Sequence, residues 1–408
     1  MFDIIGITAV FVVMIILIRM KLHVGYVLIA ASSIIFAIYL MRPAAIAATV
    51  YSAVVSQKTL ELTVALAFIR MLEVILRENN ILNMMTDAVK GVLRNKKCVL
   101  ISMPLLIGML PSIGGAYFSC PMVDDSAKGL DLTKEDKAFT NYWYRHPWES
   151  ILPLYPGLIL ATLITHVGMR KMVLLNLSYA VAMMAIGLLF CMKGVRGTFA
   201  RVENRSHWAL LSFMPFVILL VLVIVFGVKL HYALVAMVFM LMIYFRYNFT
   251  RMLKVLRYGF NREVVLLILG VMLFLTTLDR SGAVVNINNY FIARHIPLMP
   301  ILFLLPFVTG ILTGFTLAFV GSAFPLFMSL PGLDAHSFSF AFAAGYAGVL
   351  LSPVHVCLIL TRDYFKADVW GLYKKIIPAV LLYLIVPVLE YVIFKHLPYL
   401  LSFTRKLW

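Results

Sequence analysis

Charge is scarce in this chain. Only 13% of its 408 residues are Asp, Glu, Lys or Arg, against 63% apolar ones, so no long segment carries the polar surface a soluble domain needs. The polar gaps between apolar runs are short, the longest being 124–146 and 246–262, which excludes low-complexity arms and long linkers. Cysteine is scarce too. Cys98, Cys120, Cys191 and Cys357 form no CxxC and no Cys/His metal spacing, and they read as small buried apolar residues. The patterns GxxxxGK[ST], HExxH and GxSxG are absent, which leaves nucleotide-driven transport and the common hydrolase classes without their usual residues. The formal charge is +17, but Lys and Arg fall between apolar runs rather than on one face, so they report membrane orientation and not a nucleic-acid surface.

What is present is apolar sequence in stretches of roughly 17 to 22 residues, long enough to cross a hydrocarbon core of about 30 Å. They lie near 3–18, 23–41, 59–76, 148–166 and 172–192, and again near 208–228, 230–245, 263–278, 338–360 and 376–394. The first carries Asp3 where a signal peptide would be basic, so it reads as a retained span. Two further apolar regions, 98–123 and 298–330, are interrupted by Pro104, Pro111, Gly114, Gly115 and Pro121, and by Pro300, Pro306, Gly310, Gly314 and Pro325. If both are re-entrant hairpins and the N-terminus is outside, most of the 35 Lys and Arg residues are cytoplasmic; if both cross, the basic residues divide almost evenly. The positive-inside rule therefore selects hairpins, with the loops 124–146 and 193–206 cytoplasmic and 331–337 outside. Backbone of this kind at membrane depth must be buried in protein or line a wet cavity.

The two halves resemble each other. "GMLPS" from Gly108 lies over "GILTG" from Gly310, and "ILPLYPGLILATLI" (151–164) over "LLSPVHVCLILTRD" (351–364), with Pro153 on Pro353. Residues 1–206 and 207–408 are each expected to hold three spans, a hairpin, a proline-broken span (148–166 and 338–360) and a closing span. Five crossings per half is odd, so the second half would be inverted relative to the first.

That plan resembles the ion transporter superfamily, which includes dicarboxylate/sodium symporters, citrate and gluconate permeases and arsenite pumps. The tips "PSIGG" and "TGFTL" keep the small hydroxyl residues of the symporters' Ser-Asn-Thr signature without its Asn. The block "NYWYRHPWESILPLYPG" (141–157) is similar to the membrane proteins of domain of unknown function 401. The resemblance implies an all-α polytopic fold of about ten spans with two hairpins and discontinuous helices, a homodimer, and elevator-type transport in a prokaryotic inner membrane. It lends no substrate.

The candidate substrate contacts are Pro111, Ser112, Gly114 and Gly115 at one tip, Thr313, Gly314 and Thr316 at the other, and Glu149, Tyr155 and His355 beside the broken spans. Ser112, Thr313, Thr316 and Ser352, with carbonyls freed around Pro153 and Pro353, form a candidate Na+ set. Because those oxygens recur in both halves and the titratable groups His355 and Glu149 do not, Na+ is the expected coupling ion and H+ the alternative. A tight packing turn and a simple proline kink are the plain structural readings of the same residues. In the third span Arg70 and Glu73, three apart, are expected to neutralise one another. No cofactor, no bound metal beyond Na+ and no enzymatic activity are expected. The substrate class is an organic anion; a lipid translocator, or less favourably an intramembrane enzyme using His146, Glu149 or His355, is the alternative.

Overall fold

A computed structural model describes residues 2–20, 22–93, 95–111, 115–191, 195, 207–328 and 330–405. They are almost entirely helical. The first row of helices is α1 (Phe2–Arg19), α2 (Val24–Ile38), α3 (Pro43–Val55), α4 (Gln57–Glu78), α5 (Ile81–Val92), α6 (Lys96–Gly108), α7 (Gly115–Ser126), α8 (Lys134–Arg145), α9 (Pro156–Thr165) and α10 (Met169–Cys191). The second is α11 (Met214–Leu220), α12 (Leu230–Tyr244), α13 (Phe249–Gly259), α14 (Arg262–Arg280), α15 (Ala283–Ala293), α16 (Leu298–Thr313), α17 (Thr316–Phe327), α18 (Ala335–Leu351), α19 (Val356–Phe365) and α20 (Val369–Arg405). Element for element, α2–α10 and α12–α20 run in the same order. Even left-handed helix ends recur in matching places: Leu40 and Arg246 after α2 and α12, Asn80 and Gly282 after α4 and α14, His166 and Lys366 after α9 and α19.

Among the described residues, four helical stretches are long and apolar enough to cross a membrane: Met169–Phe190, Phe249–Arg280, Ala335–Phe365 and Val369–Lys395. Their outward faces are apolar as well, with Val181, Leu189, Leu381 and Leu389 all more than half exposed. In water such faces would be an aggregation hazard, whereas in lipid they are the normal exterior. The chain is a helical membrane protein.

Close packing rests on glycine where backbones meet. A Cβ on Gly270 of α14 would lie 2.5 Å from the Gly25 carbonyl oxygen of α2, and one on Gly310 of α16 only 2.1 Å from the Gly345 oxygen of α18. Small residues let helices associate without a hydrophobic driving force between them, which lipid does not supply. The most buried elements are α17, α18 and the second half of α8, so the centre of the molecule lies among the segments richest in Pro, Gly and small residues.

Three expectations change. The stretch 124–146 is not a loop: Thr133 and Asp136 form a reciprocal capping box and start α8, whose residues 138–145 are all buried. The first broken helix therefore begins at Lys134 rather than near 148. Its charged first turn hid it from a hydropathy reading, while its buried polar groups find partners: Trp143 Nε1 donates to the Met183 oxygen at 2.8 Å and Asn141 Nδ2 to the Thr361 hydroxyl at 2.9 Å. The gap 246–262 likewise holds a basic helix, α13. Finally, Glu73 pairs with Arg77 at 2.8 Å, one turn on, and Arg70 instead lies 4.7 Å over the Tyr258 ring, where a cation gains from the π face.

Asp334 caps α18. Its carboxylate accepts from the Ser337 amide at 2.8 Å and hydroxyl at 2.7 Å, and Lys395 is 3.2 Å away. Burial by itself would raise its pKa; these hydrogen bonds outweigh that and hold it below the ordinary carboxylate value. The stabilisation is therefore complete above the unfolded-state pKa and is lost as pH falls through the lowered folded value. Asp334→Ala is expected to destabilise by about 1 kcal/mol at neutral pH. Thermal melts of the detergent-solubilised protein should find that deficit shrinking under acid conditions.

Candidate functional site

Both broken helices open beside a hairpin. Between α8 and α9 the chain leaves the helix at His146, makes a 3-10 turn over Pro147–Ser150 and reaches Tyr155 before Pro156 starts α9. Between α18 and α19 the break is Ser352–His355, around Pro353. Proline at these points removes amide donors and leaves carbonyls without helical partners. The hairpin arms α6 and α7 pack on each other, as do α16 and α17, which turn at Gly314 and Phe315.

Each hairpin is fastened to the break of its own half. In the first, Trp148 Nε1 donates to the Leu105 oxygen at 2.8 Å and the Tyr155 hydroxyl to the Gly108 oxygen at 2.5 Å. A Cβ on Gly108 would stand 2.2 Å from the Arg145 oxygen. In the second, the Ser352 hydroxyl donates to the Ile311 oxygen at 2.6 Å. Gly314 has a φ of +62°, and a Cβ there would sit 2.9 Å from both the His355 nitrogen and Ser352 Oγ.

The second tip also reaches the other half. A Cβ on Gly157, at the start of α9, would lie 2.8 Å from Thr316 Cβ and 3.0 Å from its hydroxyl oxygen. The breaks themselves meet. His146 Nε2 and His355 Nε2 are 3.0 Å apart, the Tyr142 hydroxyl donates to the Leu350 oxygen at 2.8 Å, and the Tyr346 hydroxyl to the His146 oxygen at 2.6 Å. His146 Nδ1 lies 2.5 Å from the Tyr142 carbonyl, which can only accept, so the proton sits on Nδ1 and the Nε2 lone pair faces His355. Arg145, His146 and His355 are buried here, Glu149 Oε1 is 3.8 Å from His146 Nε2, and the Cys357 thiol lies beside His146 and His355. His146, His355 and Cys357 each bring one metal-ligating atom within 4.8 Å of the other two.

Glu149, Tyr155, Gly314, Thr316, Ser352 and His355 are thus brought to one junction. Pro153 is buried in the first break, whereas Pro353 is exposed on the outer side of the second. Thr313 stands apart: its hydroxyl donates to the Thr309 oxygen at 2.7 Å and it borders an apolar crevice with Phe11, Met14 and Val27. Pro111 is half-buried and Gly115 begins α7; Ser112 and Gly114 lie outside the described residues. Sequence reasoning undervalued Arg145 and Cys357. For Cys357 the available signal was the overlay of 151–164 on 351–364, which puts His355 in the place of Tyr155 and Cys357 in that of Gly157.

Against protein families, residues 4–394 match the one described as "Protein of unknown function (DUF401)". The chain belongs to the DUF401 family. No curated protein matches it significantly. Family membership agrees with the resemblance carried by the block 141–157, which contains Tyr142, Arg145, His146, Glu149 and Tyr155.

Proposed function

We propose that this DUF401 protein is a secondary active transporter of the ion transporter superfamily, built from two inverted repeats, 1–206 and 207–408. The observation that carries the reading is the second hairpin tip, where Gly314 sits on the second break and Thr316 on Gly157 at the start of α9, just past the first. A site made of hairpin tips and interrupted helices is a place where small backbone movements open and close access. The hairpin arms span about 18 to 24 Å at 1.5 Å per residue, short of a core of about 30 Å, which favours re-entrance over crossing.

The substrate on this reading is an organic anion. Buried Arg145 supplies positive charge, and α9 and α19 both begin at the junction, where their unpaired amides favour negative groups. Na+ is the coupling ion: a hydroxyl that donates to a carbonyl, as Ser352 does, still offers lone pairs to a cation, and a carbonyl that accepts one hydrogen bond, as those of Leu350 and Leu351 do, keeps a second lone pair. The hairpin-bearing part moves like an elevator against α2, α4, α12 and α14 of a homodimer in a prokaryotic inner membrane. A lipid translocator is the second reading, favoured by the exposure of Pro353, Val354 and Val356 at the second break.

The test is uptake of labelled mono-, di- and tricarboxylates by proteoliposomes under an imposed Na+ or H+ gradient. Na+-driven uptake is expected, with Ser352→Ala raising the Na+ needed for half-maximal rate about tenfold, the equivalent of 1.4 kcal/mol, and His355→Gln leaving Na+ dependence intact. Uptake indifferent to Na+, driven by protons and lost in His355→Gln, would make H+ the coupling ion. Transbilayer movement of labelled lipid without carboxylate uptake would select the translocator.

A further inference from the structure

We infer that His146, His355 and Cys357 form a binding site for a thiophilic transition-metal ion, with Zn2+ as the reference ion, that pins the two broken helices together. Two imidazoles and a thiol with ligating atoms within 4.8 Å of one another are close to what Zn2+ requires. At Zn–N of about 2.1 Å and Zn–S of about 2.3 Å, tetrahedral ligands stand roughly 3.5 Å apart, so shifts of an ångström or less complete the geometry. The site is also prepared. The Tyr142 carbonyl fixes the His146 tautomer, leaving Nε2 bare, which is the carbonyl–histidine arrangement that orients metal ligands.

That lone pair meets His355 Nε2–H at 3.0 Å, and a metal ion takes the place of this proton as His355 shifts to the tautomer protonated at Nδ1. His355 Nδ1 is buried and makes no short hydrogen bond, so that nitrogen is free to carry the ring's proton. Glu149 Oε1, 3.8 Å from His146 Nε2, is within reach as a fourth ligand.

Binding exchanges the thiol proton for a metal–sulfur bond, with the proton released to solvent and no change of oxidation state. Soft thiolate with imidazole selects Zn2+, Cu+ or Co2+ over Na+ or Mg2+, so this site is chemically separate from the Na+ ligands. His146 comes from the first break and the other two ligands from the second. Occupancy would therefore bridge the halves, and Zn2+ would act as a brake on any motion that separates them.

The test uses tag-free, full-length protein in detergent, stripped with a chelator and titrated with Co2+ and then Zn2+. The expected result is one equivalent bound, an intense thiolate-to-cobalt charge-transfer band, and a higher melting temperature with Zn2+. Cys357→Ser should abolish the band, His146→Gln should weaken Co2+ binding at least about tenfold, and Cys98→Ser and Cys120→Ser should change neither. If Cys357→Ser does not fold, Zn2+ protection of Cys357 from alkylation in the wild-type protein, read by mass spectrometry, decides the matter. No charge-transfer band in the wild type, a band surviving Cys357→Ser, or alkylation unaffected by Zn2+ would overturn the site. None of these readouts needs a transported substrate, so a failure of the transport reading is distinguishable from a failure of this one.

Discussion

Gly314→Val is expected to lower uptake at least about tenfold while leaving a monodisperse, folded protein. Two penalties coincide. At a φ of +62° a non-glycine residue loses about 1 to 2 kcal/mol, and more when β-branched. The added Cβ would also press on the His355 nitrogen and Ser352 Oγ at 2.9 Å, pushing the tip off the second break and drawing Thr316 away from Gly157. Gly314→Asn separates the causes, because Asn tolerates left-handed backbone yet brings the same Cβ. If transport depends on the tip sitting on the break, Asn is as inactive as Val. Recovery in the Asn variant would mean that only turn conformation matters there.

A larger loss of stability is expected from Gly310→Val. Its Cβ would lie 2.1 Å from the Gly345 oxygen, which is backbone and cannot turn aside, so α16 and α18 must separate. Overpacking typically costs about 1 to 3 kcal/mol, and an unyielding backbone contact puts this site at the upper end. Gly348→Val meets the Phe307 oxygen at 2.1 Å and should behave alike, whereas Gly321→Ala, whose nearest neighbours are side chains at 3.4 Å or beyond, should be nearly neutral. Melting curves in one detergent would rank the three; a well-behaved, unshifted Gly310→Val would show that the α16–α18 contact is looser than its geometry.

How much of this was legible in sequence follows from what each segment had to say to water and lipid. The arms around Gly314 and the break at Pro353 were visible because proline and glycine in an apolar run have few other reasons to be there. Helix α8 was hidden because "KEDK" opens it with charge, although Thr133 and Asp136 spell a capping box and "AFTNYWYR" holds the most buried aromatic side chains of the region. The partner of Glu73 was misjudged because two arginines, three before and four after it, compete, and Tyr258 from another helix takes Arg70. The meeting of His146 with His355 and Cys357 could not be read locally. It joins positions some two hundred residues apart, and the overlay of one half on the other does not pair them either, since His146 lies over Tyr346 and His355 over Tyr155.

The central claim is that two oppositely inserted halves present their hairpins and breaks to a single junction, and paired accessibility tests it most directly. In a background without Cys98, Cys120, Cys191 and Cys357, Asp131→Cys and Leu333→Cys would each be labelled with an impermeant maleimide in intact cells and in inverted vesicles. With re-entrant hairpins, residue 131 labels only from the cytoplasmic side and residue 333 only from outside. Labelling of both from outside would mean that the two hairpin regions cross the membrane, and the inverted-repeat site would fall with them.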